Sequence, residues 1–124
     1  MSQAKLALGR AGERKAARFL QRRGLRIIER NWRCSGGELD LVARDGLTLV
    51  IVEVRTSGAG FAGGPVFTVG PQKRLRLERL ARRWLLRSRW TPESVRFDVV
   101  SVERVAWWRW RLTWTPSAFE SREP

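Results

Sequence analysis

Apolar positions recur at helical spacing in two stretches of the 124-residue chain and alternate at strand spacing elsewhere. From about Ala4 to Arg23, Leu8, Gly12, Ala16, Phe19 and Leu20 form one small or apolar stripe, with basic residues mostly outside it. Gly24 supplies a natural stop. Leu25 to Trp32 reads as a first strand. A Ser-Gly-Gly turn then leads into two apolar segments, Gly37 to Val42 and Leu49 to Arg55, separated by Asp45-Gly46. The Gly-rich stretch from Thr56 to Gly70 reads as an irregular loop, either a plain connector or a flap that closes over substrate. Pro71 suits the first turn of a second helix, which the stripe Leu77, Leu80, Ala81, Trp84 and Leu85 carries to about Ser88. Val95 to Val102 and Ala106 to Thr115 read as the last strands.

The order helix, three strands, helix, two strands predicts an α/β fold with a mixed central sheet, because a helical crossover commonly joins parallel strands. The length suits a single domain, placed at 1–116, with 117–124 as a C-terminal tail.

Two acids interrupt the apolar pair of strands, and burying an ionised carboxylate requires a cation, a metal or water. Asp45-Gly46 is a strong short-range hairpin signal. If it forms a two-residue loop, Arg44 faces Leu47, Asp40 lies opposite Ile51, and Glu53 is the diagonal neighbour of Asp40 on the same face. Arg55 continues that face. A one-residue register error would separate the two acids. Acid, acid and cation are the parts that metal-assisted phosphodiester cleavage needs. The bland reading pairs Asp40 and Glu53 with Arg55 or other arginines on a solvent-facing strand, and spacing alone does not choose between them.

Composition narrows the chemistry. The chain has no histidine and one cysteine, Cys34, which excludes an intrachain disulfide and a Cys/His zinc site. Any catalytic metal must therefore use oxygen ligands, which suit Mg²⁺ or Mn²⁺. The formal net charge of +13 points to a polyanionic partner, nucleic acid first, although an acidic membrane or protein would also be attracted. Arginine outnumbers lysine 22 to 3, which fits codon bias at least as well as phosphate recognition. Neither a signal-peptide core nor a membrane-spanning apolar run is visible, so the expected location is the cytoplasm, without a membrane partner.

The pieces Gly9-Arg10-Ala11-Gly12-Glu13, Arg30-Asn31-Trp32-Arg33, Gly37-Glu38-Leu39-Asp40-Leu41-Val42, Val52-Glu53-Val54-Arg55 and Arg96-Phe97-Asp98-Val99-Val100 occur in one order. In that order they resemble the YraN-like family of small bacterial proteins, over nearly the whole chain. That family looks like a branch of the PD-(D/E)XK, or restriction-endonuclease-like, nuclease superfamily, with an analogy to Holliday-junction resolvases. The resemblance implies a homodimeric, Mg²⁺- or Mn²⁺-dependent endonuclease hydrolysing DNA, with DNA ahead of RNA and branched or repair-related DNA as the substrate. It makes Asp40 and Glu53 the metal carboxylates, adds Glu13 as a first-helix acid, and puts Arg55 where lysine usually stands.

Arginine stays charged and cannot act as a general base, so Arg55 also admits a catalytically inactive nucleic-acid-binding or partner-recruiting module on a nuclease fold. Glu38 is a further same-face acid, read as a turn-flanking surface group or a support to the metal ligands. Lys73 and Arg74, at the start of the second helix, are nucleic-acid-binding candidates beside the plain reading of a solvated helix face. Trp108, Trp110 and Trp114 alternate with Arg109 and Arg111, a pattern suited to base stacking and phosphate contact or, more simply, to burial against a helix or second subunit.

Overall fold

The computed structural model of the chain describes residues 3–58 and 69–120. Helix α1 (Gln3–Arg22) precedes strands β1 (Arg26–Cys34), β2 (Gly37–Asp45) and β3 (Thr48–Ser57). Helix α2 (Pro71–Ser88) follows, then β4 (Ser94–Ala106) and β5 (Arg109–Glu120). The elements follow the expected order. Five strands form one mixed sheet in the order β1-β2-β3-β4-β5, with β3 and β4 parallel and every other neighbouring pair antiparallel. The α2 crossover explains the parallel pair. Most of the expected loop, residues 59–68, lies outside the described residues, as does the flap reading attached to it. No helix among the described residues is long and apolar enough to cross a membrane.

Each face of the sheet buries its own core. Ala16, Ala17 and Leu20 of α1 pack with Leu41, Ala43, Val50, Val52, Val100 and Val102. Leu77, Leu80 and Trp84 of α2 pack with Val42, Leu49, Ile51, Phe97 and Val99 on the other side. Alternation along the strands produces this division, since successive side chains leave opposite faces. Helix α1 comes unusually close to β3 because Gly12 has no side chain: a Cβ there would collide with the Thr56 side chain.

Three expectations at the strand ends need correction. The tight turn between β2 and β3 is Gly46-Leu47, closed by the pair Asp45 and Thr48, rather than Asp45-Gly46. Gly46 supplies the positive φ, +60°, and its carbonyl accepts a hydrogen bond from Arg44 Nε. Moving the turn by one residue moves each partner by two, so Ile51 faces Val42, and the paired ladder ends at Leu41–Val52, one residue short of Asp40 and Glu53. The acids are no longer diagonal neighbours. Strand β4 continues beyond Val102 to Ala106. The last strand does not stop at Thr115, because β5 runs through Pro116 to Glu120, well into the segment expected as a tail. Proline is tolerated here because β5 is an edge strand.

Asp98 holds that extension. It is 1% exposed, and its carboxylate accepts hydrogen bonds from Arg96 Nε and Nη2 at 2.9 and 3.1 Å. Trp114 Nε1 donates to it at 3.0 Å and the Ser117 backbone N–H at 2.9 Å. The pairs Val99–Thr115 and Phe97–Phe119 bracket Asp98, so residues 116–118 bulge around its carboxylate before Phe119 stacks on Phe97, with centroids 4.5 Å apart.

Asp98→Ala removes the buried partner of Arg96 and the acceptor of both Trp114 Nε1 and the Ser117 N–H, and should cost about 3–5 kcal/mol in urea unfolding. Gly12→Ala should destabilise by about 1–3 kcal/mol through overpacking against Thr56. Gly9→Ala, with open space at its Cβ, should instead stabilise by up to about 1 kcal/mol through helix propensity. Equal gains from both glycine substitutions would contradict the close approach.

Candidate functional site

The β1–β2 hairpin changes sides partway along its length. Leu41 and Ala43 belong to the α1-side core, yet Leu39, two residues from Leu41, packs on the α2 side beside Trp32. Strict alternation would keep Leu39 and Leu41 on one face. Between the pairs Arg30–Leu41 and Trp32–Leu39 lie Asn31 and Asp40, where the change occurs. Asn31 has φ +52°, a left-handed conformation that asparagine tolerates better than most residues. The pairing of β2 with β3 reaches only as far as Leu41–Val52. Beyond it, the Asp40 carboxylate itself accepts the Val54 backbone N–H at 2.9 Å.

This geometry gathers acids from separate elements. Glu13 of α1 and Glu38 and Asp40 of β2 each offer a carboxylate oxygen, all within 4.8 Å of one another. Glu13 and Asp40 share a side-chain hydrogen bond. With its amide oriented to satisfy these neighbours, Asn31 donates to both Glu13 oxygens at 3.1 and 3.2 Å and to Glu38 Oε1 at 3.0 Å. Arg33 Nε lies 3.3 Å from Glu38 Oε2. Burial pushes the Asp40 carboxyl up to about 7; the Val54 N–H opposes that rise, while the charges of Glu53, Glu13 and Glu38 reinforce it. Glu13 is also raised, first by burial and then by Glu38.

Glu53 is close enough to influence Asp40, but the trio above does not include it. Its Oε1 lies 2.7 Å from Lys73 Nζ of α2, with both side chains partly covered. Arg55 continues β3 two residues on, half-buried and in register with Ser101. Arg74 turns elsewhere: its Nε donates to the Val69 carbonyl at 2.8 Å, and its guanidinium lies over the Phe119 ring. Thus Asp40, Glu13 and Glu38 converge, Glu53 and Lys73 form an adjacent pair, and Arg74 is tied to the backbone before α2.

Asn31 had no functional expectation attached to it. Its detectable signal is an asparagine inside an otherwise apolar and charged strand, within the Arg30-Asn31-Trp32-Arg33 piece. Glu38 is a full member of the acid group, more than a support. Lys73 sits against an acid of the site, rather than on an open helix face, which sequence periodicity could not reveal.

The molecule therefore belongs to a class of small mixed α/β proteins in which a helix and a sheet hairpin bring carboxylates together where neighbouring strands part. Its family follows from comparison with known proteins. The model described as "Uncharacterised protein family UPF0102" matches residues 12–102, and the chain belongs to that family. A UPF0102 protein of Beutenbergia cavernae is 54% identical over 101 residues, covering 82% of this chain and 86% of that protein. One from Frankia alni is 54% identical over 102 residues, covering 82% and 84%. Another from Herminiimonas arsenicoxydans is 42% identical over 118 residues, covering 95% and 90%. The family match spans every acid of the site together with Asn31, Arg55 and Lys73.

The elevated Asp40 carboxyl predicts a pH signature. Between its ordinary value of 3.8 and about 7, folded Asp40 retains a proton that the unfolded chain has released. Metal-free stability should therefore fall as pH rises through this interval, with Glu13 acting in the same sense. Thermal unfolding across pH 4 to 8 should show that decline, and Asp40→Asn should flatten it. A wild-type profile that rises through the interval, or an unchanged slope in the variant, would exclude the assignment.

Proposed function

We propose that this protein is a divalent-metal-dependent phosphodiesterase acting on nucleic acid, DNA ahead of RNA, with Mg²⁺ or Mn²⁺ as its ion. The observation that carries this reading is the convergence of Glu13, Glu38 and Asp40 within 4.8 Å. Like charges held this closely favour either protonation or a cation between them. An oxygen-only donor set fits a hard divalent ion. When bound, such an ion would polarise a phosphoryl oxygen and make an attacking water more acidic.

The residues of the chain have separable tasks. Glu13, Glu38 and Asp40 hold the ion, while the Val54 N–H fixes Asp40 and Asn31 orients the two glutamates. Glu53 positions the Lys73 ammonium. Lys73 and Arg55 offset the negative charge of the scissile phosphate, a task that requires a cation but not a base. The approach of Lys73 to Glu53 supports this reading although arginine occupies position 55. The formal charge of +13 supports capture of a polyanion. Branched or repair-related DNA, and a homodimer to engage it, extend the proposal through the nuclease resemblance.

Arg55 also motivates a second reading, a binding module without turnover. Incubation with linear, flapped and four-way DNA in Mg²⁺ or Mn²⁺ decides between them. Cutting of at least one substrate is expected. Asp40→Asn and Glu13→Gln should abolish it while DNA binding persists, and Lys73→Ala should slow it by roughly 100-fold or more. Salt-sensitive binding with no cleavage by the wild type under either metal would favour the module. Cleavage undiminished in Asp40→Asn would remove these acids from the reaction.

A further inference from the structure

The opposite edge of the sheet from β1 carries a second, chemically different surface. Where α1 approaches β5 there is a groove of about 510 Å³. Lys15, Arg18, Arg22, Arg23 and Arg109 line it, together with Phe19, Trp110 and Leu112, and among the described residues no carboxylate does. Trp108 forms its rim and is 66% exposed, beside Trp107 at 80%. The expectation that the β5 tryptophans would pack inward holds for Trp110 and Trp114, which lie against the α1-side core. It does not hold for Trp108, because the last strand starts at Arg109 rather than Ala106 and leaves Trp107 and Trp108 in the turn before it.

We propose that this groove binds single-stranded nucleic acid, with phosphates against the α1 cations and a base stacked on Trp108. Two observations select that occupant. Five cations without a lining acid repel one another, which an approaching line of phosphates relieves. The exposed indole supplies a flat apolar face, and an unpaired base offers a matching one, whereas the bases of an intact duplex are stacked internally. Lys15 to Arg22 spans about 10 Å of helix, so the cations form a track rather than a point site for one phosphate. Part of the surface is already ordered: Lys15 lies 5.3 Å from the Trp110 ring centroid, and Arg23 3.6 Å from that of Phe19.

The groove is separate from the carboxylate site. Glu13 faces Asn31 and the β1–β2 hairpin, whereas Arg18 and Arg22 border β5 at the other end of the strand order. Binding here extends the polyanion preference in the proposed function but requires neither metal nor cleavage, so it is measured in EDTA. Failure of the groove leaves the carboxylate assignment intact, and the reverse also holds.

Fluorescence anisotropy with labelled single-stranded DNA, matched single-stranded RNA and matched duplex DNA provides the test. Wild-type protein should bind at least one single strand more tightly than the duplex. Trp108→Ala should weaken single-strand binding by about fivefold or more, leaving duplex binding within about twofold. Joint Arg18→Gln and Arg22→Gln should reduce the logarithmic salt slope by about 1.4, since each phosphate contact on a single strand contributes about 0.7. Thermal unfolding will verify that each variant folds. Equal affinity for strand and duplex, or unaltered single-strand binding in Trp108→Ala, would overturn the proposal. A concentration-dependent dimer lost in Trp108→Ala, without loss of single-strand binding, would assign the tryptophan rim to a second copy instead.

Discussion

The change of side at Asn31 and Asp40 governs the arrangement of this protein. Without it, Leu39 would join the α1-side core and β2 would continue alongside β3, using backbone groups for the next rung. Instead the outer half of the hairpin turns toward α2, carrying Trp32 and Leu39 with it. A backbone donor on β3 is left at the parting point, and the Asp40 carboxylate accepts it. One side chain thus completes the strand pairing and enters an acidic cluster. Its poor solvation follows from the same position, so the burial that secures the hairpin also raises its proton affinity.

Two close approaches build the rest around that point. Gly12 allows α1 to settle against Thr56, which brings the next residue, Glu13, down to the hairpin acids. From the other side, the first turn of α2 delivers Lys73 to Glu53. Acids and cation therefore come from four elements and both sides of the sheet. The site depends on tertiary packing, and no single strand contains it. Asp98 uses its buried charge differently, with four donors surrounding it and binding β5 to β4.

Much of the scaffold was legible because the periodicities are unambiguous. The bounds of α2 follow from Pro71 at its start and a stripe extending to the last turn, where Arg89 adopts the left-handed cap conformation. Asp40 and Glu53 remained close enough for their charges to interact despite a misplaced turn, because the shifted ladder still ends within one residue of both. Alternation failed at Asn31 and Asp40, where backbone conformation overrides local pattern, and that hid the recruitment of Glu38. The partnership of Lys73 with Glu53 was hidden for another reason: the distance between a helix start and a remote strand has no signature in spacing. The strand end expected at Thr115 was too early because the donors to Asp98 that carry the chain past Pro116 become visible only in three dimensions.

Like-charge crowding at Glu13, Glu38 and Asp40 makes sense as a cation site, and direct metal binding tests that claim without reference to turnover. Titrating Mn²⁺ into the metal-free protein at pH 8, with free ion followed by electron paramagnetic resonance, should reveal at least one saturable site per chain. Mg²⁺ should compete for it, and it should disappear in both Glu13→Gln and Asp40→Asn variants that retain the fold. Wild-type protein that leaves the free Mn²⁺ signal undiminished, or folded variants that bind as the wild type does, would contradict it.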